Sequence, residues 1–200
     1  MKIYSLTVLL LSIIILNSNS QDLGRSKLQN EIYGGYGFGS AQEISSVYSD
    51  VITPIITIGT LYTETMSPVG PVSLGYRRSF SKNFTLAIAG NYVAFNKQFK
   101  KSSDNSVVGT VKNTFYSFIA RGDYYYVTGE YFQMYSGVGV GFTYAHDNYL
   151  DSSNASGQGK MYSAFQVNAV GIRVGKNFGV FAELGYGFEG IINAGISLKF

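Results

Sequence analysis

The 200-residue sequence contains no cysteine, no tryptophan and a single histidine, and only 14% of its residues are charged. The absence of cysteine excludes disulfide scaffolds, thiolate metal sites and a lipid-modified N-terminal cysteine. The formal net charge of +3 is too small for the concentrated basic surface of a nucleic-acid-binding protein. What the sequence does contain is 24 glycines, 17 tyrosines and 14 phenylalanines. Disordered chains have many charges and few aromatic residues, so this composition predicts one folded domain.

The first twenty residues have the features of a secretory signal peptide. Lys2 supplies a positive charge, residues 3–16 form an apolar run, and Ser18 and Ser20 are the small residues before a cleavage site at Gln21. The run is shorter than the roughly 20 apolar residues that a membrane-spanning helix needs, although an uncleaved anchor is the alternative. We therefore predict a cleaved signal peptide at 1–20, a short periplasmic segment at 21–30 and an exported domain at 31–200.

Across that domain, apolar residues alternate with glycine and polar residues at a period of two, which indicates β-strands. The alternation is clearest at the end of the chain, where the last apolar row closes with Phe200. In the segment 161–175, Gln166 and Asn168 fall on the apolar face, so we predict a β-bulge near Ala169. The predicted strands cover residues 32–39, 72–80, 84–95, 114–126, 131–145, 161–175, 178–189 and 192–200.

The connections between these strands alternate between long and short. Long ones are predicted at 40–70, 97–111 and 147–160, with short turns between them and a tight turn at 189–190. This pattern predicts an all-β, eight-stranded, antiparallel up-and-down transmembrane β-barrel with both termini on the short-turn side. A soluble sandwich or lipocalin-like barrel also alternates, but it turns its apolar face inward and would place the glycines and ions in solvent.

The signal peptide, the eight alternating strands, the Tyr and Phe residues at strand ends and the last strand GIINAGISLKF carry a resemblance to a known family. Residues 31–200 resemble the small outer-membrane β-barrel domains of Gram-negative bacteria, the OmpA/OmpX-like size class. The resemblance implies location in the outer membrane with both termini periplasmic, contact with its lipid, and recognition of Phe200 by the barrel-assembly machinery. The family is functionally diverse, so the resemblance implies architecture more than activity.

Ionic residues lie on the predicted inner face of the barrel. They are Arg77, Arg121, Asp123, Arg173, Glu183, Glu189 and Lys199. Side chains fill the interior of an eight-stranded barrel, so these groups are predicted to pair as a structural plug. A proton or ion path is the alternative. Glu183 is expected to pair with Arg121 or Arg173.

Residues 40–58 depart from the alternation. Ser40 and Glu43 have the spacing of a helix capping box, and apolar residues then recur at helical spacing, with a kink or an end of the helix predicted near Pro54. We predict an amphipathic helix in the first extracellular loop that packs on its own barrel, in the headgroup layer, across the mouth or against a partner. Its apolar stripe is Ile44, Val47, Tyr48, Val51, Ile52 and Ile55.

Evidence for catalysis is weak. His146 and Asp147 precede Ser152 and Ser153 in a predicted loop rich in Ser, Asn and Gly, which would not hold a base rigidly beside a nucleophile. Gly35 and Gly37 could begin the G-x-G-x-x-G pattern of a nucleotide-binding loop, but Ser40 stands where the pattern needs its third glycine, and no βαβ unit follows. We predict no enzyme activity, cofactor or metal site. The leading hypothesis is a structural or surface-interaction role with an unknown extracellular partner, followed by small-solute or ion transport and by a lipid-modifying enzyme.

Overall fold

The structure is a computed structural model that describes residues 29–44, 61–149 and 158–200. Eight antiparallel strands form one closed barrel in which each strand pairs with its neighbours in sequence and the first pairs with the last. The strands are β1 Asn30–Phe38, β2 Leu61–Ser79, β3 Phe84–Lys101, β4 Val107–Thr128, β5 Phe132–Tyr149, β6 Gln158–Val174, β7 Phe178–Gly187 and β8 Ile192–Lys199. The predicted eight-stranded up-and-down barrel is confirmed. The predicted signal peptide at 1–20 lies outside the described residues.

In the described part of the chain, no helix is long and apolar enough to cross a membrane.

Apolar side chains lie on the outer face of the strands and polar side chains on the inner face, as the alternation predicts. Outward side chains such as Leu74 and Val140 are 68% and 72% exposed, whereas the inward side chains of Arg77 and Arg173 are almost completely buried. Such a continuous apolar exterior is far larger than the apolar patches on soluble proteins. The exterior is therefore that of a membrane-spanning barrel, and the polar interior is the reverse of a lipocalin-like barrel.

The predicted bulge is confirmed at Ala169. In the pairing of β6 with β7, Asn168 pairs with Gly185 and Val170 pairs with Leu184, which leaves Ala169 as the extra residue. On the other side of β6, the Ser136 hydroxyl donates a hydrogen bond to the Ala169 carbonyl at 2.6 Å. The bulge changes the phase of the strand, and Gln166, Asn168 and Arg173 therefore all face the interior.

At the loop end of the barrel, the strands are longer than the sequence analysis predicted. The predicted long connection at 97–111 is mostly strand, because β3 continues to Lys101 and β4 begins at Val107. The one at 147–160 is strand at both ends, because β5 continues to Tyr149 and β6 begins at Gln158. The predicted connection at 40–70 likewise ends early, since β2 begins at Leu61. These segments carry polar residues on both faces, so hydrophobic alternation does not mark them even though the backbone pairing continues.

As a result, the barrel has walls of unequal height. Strands β2 to β6 contain 19, 18, 22, 18 and 17 residues, whereas β1, β7 and β8 contain 9, 10 and 8. Short turns join the strands at one end of the barrel, so most of the additional length lies at the other end, the loop end. We call β2–β6 the tall wall and β7, β8 and β1 the low side.

Candidate functional site

Eight charged side chains meet inside the barrel and form what we call the ionic cluster. Its cations are Arg77, Arg121, Arg173 and Lys199, and its anions are Glu31, Asp123, Glu183 and Glu189; all eight are buried. Sequence analysis missed Glu31, because the first strand was predicted to begin at residue 32. Glu31 lies on the same inward row as Tyr33, so an earlier strand start would have found it. With Glu31 included, the formal charges of the cluster balance.

Glu183 is the centre of the cluster. Its carboxylate accepts hydrogen bonds from Arg77 Nη2 at 2.7 Å, Arg121 Nη2 at 2.9 Å and Tyr135 Oη at 2.6 Å. Asn193 Nδ2 donates a fourth at 3.1 Å. These donors come from four other strands, so one carboxylate ties together opposite sides of the barrel.

Arg173 does not reach Glu183, although the sequence offered it as a partner. Its Nε donates to Ser197 Oγ at 2.8 Å and lies 3.2 Å from a Glu31 carboxylate oxygen. Its Nη2 donates to the Asn177 carbonyl at 3.0 Å. Arg173 therefore connects the short turn at 175–177 to the first and last strands.

Arg121 connects the tall wall to the low side. Its guanidinium contacts Asp123 at 2.9 Å and also pairs with Glu189, which lies in the turn between β7 and β8. The Glu189 amide donates to Gln166 Oε1 at 2.9 Å. The turn that forms the lowest part of the rim is thus fixed to β4 and β6 across the lumen.

Aromatic rings fill the space around the cluster. The Arg77 guanidinium carbon lies 4.0 Å from the centroid of the Tyr33 ring and 5.2 Å from that of Tyr135, distances at which a cation is attracted to the ring face. Tyr33 and Phe181 meet edge to face with centroids 5.7 Å apart. Ions and rings together occupy the lumen at this level, which leaves the middle of the barrel without a wide aqueous channel.

Above the cluster, towards the loop end, lies a cavity of about 460 Å³ that we call the mouth cavity. Below it, Gln42 Nε2 donates to Ser117 Oγ at 3.3 Å, and Ser117 Oγ donates to Thr143 Oγ1 at 2.8 Å. Gln42 and Thr143 also line the cavity, so this chain of hydrogen bonds forms its floor.

The predicted capping box forms at the start of the helical segment. The Ser40 amide donates to the Glu43 carboxylate at 2.7 Å, and the Glu43 amide donates to Ser40 Oγ at 3.3 Å. Residues 41–44 are helical, Ser40 and Gln42 are buried in the mouth, and Ile44 is half-buried. The remaining predicted stripe at Val47, Tyr48, Val51, Ile52 and Ile55 lies outside the described residues.

Two of the four residues considered for catalysis, His146 and Asp147, lie in a strand. His146 is in β5, where it pairs with Thr114 and Gly159, and its ring stacks beside that of Tyr144. Asp147 follows on the opposite face and lines the mouth cavity. The predicted loop position of His146 and Asp147 is therefore wrong, while Ser152 and Ser153 lie outside the described residues.

The tip of the β3–β4 hairpin is an ordered turn. The Asp104 carboxylate accepts hydrogen bonds from the Ser106 hydroxyl at 2.7 Å and from the Ser106 amide at 3.1 Å. These hydrogen bonds lower the pKa of Asp104 below its ordinary value. Asn105 has a φ of 57°, a left-handed conformation that asparagine tolerates in turns. The hairpin thus ends in a short structured tip.

The fold and its filled interior define a class of protein: eight-stranded up-and-down transmembrane β-barrels whose lumen is filled by side chains. Among solved structures, the chain is similar to two crystal structures of Ail, the attachment invasion locus protein of Yersinia pestis, one of them in complex with the heparin analogue sucrose octasulfate. In both cases the TM-score is 0.41 and the identity is 14%, over 86% of this chain and 97% of Ail. No protein-family model and no curated protein sequence matches the chain.

Proposed function

We propose that this protein is an outer-membrane barrel with a surface-interaction role, in which the filled barrel is the anchor and the tall wall binds an extracellular partner. The observation that carries the proposal is strand length. A tilted strand crosses a bilayer with about 9–11 residues, whereas the strands of the tall wall contain 17 to 22. With the termini in the periplasm, the surplus length stands outside the cell.

The edges of the tall wall suit partner binding. Pairing between β1 and β2 stops at Tyr36 with Val72, and pairing between β6 and β7 stops at Gln166 with Gly187. Within the described residues, β2 from 61 to 69 and β6 from 158 to 164 therefore pair along one edge only. A free strand edge can accept an extended segment of another protein through backbone hydrogen bonds.

The alternative functions have less support. Transport would need a path past the ionic cluster, whose charges are balanced and whose groups bond to each other. In a catalytic triad a carboxylate orients the histidine that acts as the base, but His146 and Asp147 lie on opposite faces of β5. The surface-interaction role accounts for the long strands of the tall wall and for their strand edges, and neither alternative explains these features.

Shortening one hairpin tests the role directly. Lys97 and Val111 are directly paired, so residues 98–110 can be replaced by Asn-Gly, which forms a two-residue hairpin turn. We expect cells carrying the shortened protein to lose attachment to protein-coated surfaces, whereas its folded and boiled forms still migrate differently on gels. A control variant keeps the hairpin length and replaces only the tip, 102–106, by Gly and Ser. Equal attachment by cells with the full, shortened or no protein would end the proposal.

Orientation is tested by single cysteines, which the natural sequence lacks entirely. Ser103→Cys lies at the tip of the β3–β4 hairpin, and Asn83→Cys and Asn177→Cys lie at short turns. We expect an impermeant maleimide to label the first on intact cells and the other two only after lysis. Labelling of the short turns from outside would invert the proposed topology.

Phe200 tests the proposed recognition by the assembly machinery. Its backbone exchanges hydrogen bonds with Asn30, with N···O distances of 2.9 and 3.2 Å, while its ring is 64% exposed on the lipid side. We expect Phe200→Ser, which keeps the backbone bonds, to reduce assembly in the outer membrane severalfold. Phe178→Ser is the matched control, because Phe178 is 62% exposed on the same face near the same end. Equal assembly of both variants, measured in isolated outer membranes, would remove a special role for Phe200.

A further inference from the structure

The mouth cavity is lined by aromatic rings that come from four separate places in the chain. Phe95 of β3 and Phe115 of β4 stack on one wall, with ring centroids 5.6 Å apart and planes inclined by 29°. Tyr162 of β6 and Phe188 of the β7–β8 turn also line the cavity. Its volume of about 460 Å³ lies within the roughly 300–1,000 Å³ that small-molecule sites occupy. The cavity can therefore hold a small molecule in contact with several rings.

One carboxylate lies at the loop end of this cavity. Asp147 is half-buried in β5 and lies directly opposite Asn113 of β4, which itself pairs with Phe95. Phe115 is two residues deeper on β4, diagonally across from Asp147, and side chains in such positions are within reach of each other. In the described part of the chain, the Asp147 carboxylate has no hydrogen bond and no ion pair. An anion without a partner of its own therefore lies beside the aromatic rings.

The cations near the mouth do not neutralise this carboxylate. Lys97 also lines the cavity, but it is engaged in an interaction of its own. Lys160 pairs in register with Ala145, yet it is exposed, so solvent and salt screen its charge. The ionic cluster beneath the floor has balanced formal charges. The charge that remains for a ligand in the cavity is the negative charge of Asp147.

We propose that the mouth cavity binds a small organic cation with a quaternary ammonium head group, of the class to which choline belongs. A cation within about 6 Å of an aromatic ring centroid is attracted to the ring face, more strongly where water is excluded. The Asp147 carboxylate adds the attraction of opposite charges. A quaternary ammonium has no N–H group to satisfy among the rings, whereas a primary ammonium has three donors. The site is separate from the strand edges of the tall wall, so it is tested independently of the surface-interaction role.

Choline and its uncharged isostere dimethylbutanol, in which carbon replaces the ammonium nitrogen, provide a matched pair of probes. Each is titrated by calorimetry into the full mature chain folded in micelles of a non-ionic maltoside, which contributes no charge. We expect saturable binding of choline that is at least about tenfold tighter than that of the alcohol. Ethanolamine, a primary ammonium, should bind several times more weakly than choline. No saturable heat with choline, or equal binding of the alcohol or of ethanolamine, would overturn the proposal.

Two pairs of variants locate the site. Asp147→Asn removes the charge but keeps the size of the side chain, and we expect the affinity for choline to fall by at least about tenfold. Asp104→Asn makes the same change at the tip of the β3–β4 hairpin and should leave the affinity unchanged. Phe115→Leu removes a ring from the cavity and should weaken binding several times. Phe118→Leu removes a ring from the outer face, where Phe118 stacks with Phe142 at a centroid distance of 5.7 Å, and should have no effect. Equal affinities within either pair, in variants that keep heat-modifiable migration, would overturn the proposal.

A last comparison identifies the occupant of the cavity. A variant in which a Gly-Ser linker replaces residues 45–60 should bind choline as the full chain does. Binding seen only in that variant would show that the chain's own segment occupies the cavity, which would overturn the proposal.

Discussion

Glu183→Gln is expected to lower the free energy of unfolding by roughly 3–5 kcal/mol in a dry interior, and by less if water enters. The carboxylate accepts hydrogen bonds from Arg77, Arg121, Tyr135 and Asn193, so its neutralisation leaves two guanidinium groups facing an amide in place of an anion. The balanced ionic cluster would then carry one uncompensated positive charge. Urea unfolding in lipid vesicles, followed by tyrosine fluorescence and gel mobility, measures the change.

The matched control is Glu130→Gln. Glu130 pairs with Lys176 at 2.6 Å, but the two side chains are 46% and 56% exposed, so solvent screens the pair. We expect this variant to unfold as the wild type does. A Glu183→Gln variant of wild-type stability whose ion conductance differs from that of the wild type would contradict the structural role of the cluster and favour transport.

Gly75→Val is the second change with a large expected effect. A Cβ at Gly75 would overlap the ring of Tyr33, which is buried and lies beneath the Arg77 guanidinium. Because neighbouring groups leave the ring little room to move, overpacking should lower the stability by on the order of 1–3 kcal/mol. The same unfolding assay measures it, and the yield of heat-modifiable protein provides a second readout.

Gly90→Val makes the same substitution on the outer face of β3. A Cβ at Gly90 would meet no atom within 4 Å, and valine favours strands, so this variant should be as stable as the wild type or slightly more stable. Equal destabilisation by both substitutions would show that loss of glycine in the strand, and not contact with Tyr33, is responsible.

The sequence predicts the membrane-spanning part of the fold well, because lipid outside and polar groups inside impose strict alternation on every strand. It even locates the bulge at Ala169, where two polar residues break the phase. It does not predict the tall wall, since towards the loop end polar residues occur on both faces of β3 and β4 and the alternation disappears. Backbone pairing in that region depends on contact with the neighbouring strands. A period of two in one segment carries no information about that contact.

The same limit applies inside the barrel. Alternation predicts which charged residues face inward, but the pairs that form depend on how far each strand is shifted along its neighbour. Arg77 rather than Arg173 therefore donates to Glu183, and Arg121 also reaches Glu189 in a turn. In contrast, the capping box at Ser40 and Glu43 is local in sequence and could be predicted without knowledge of the barrel.

Conductance of the wild-type protein in a planar bilayer most directly tests the central claim that this is a closed membrane anchor whose lumen is filled by a balanced ionic cluster. The folded chain is delivered to the bilayer by fusion of lipid vesicles that hold a known amount of it. Its folded state is verified by the gel mobility of protein recovered from the same vesicles. The account predicts no current steps above the lipid baseline under applied voltage. Stable open-channel steps from verified, folded barrels would contradict it.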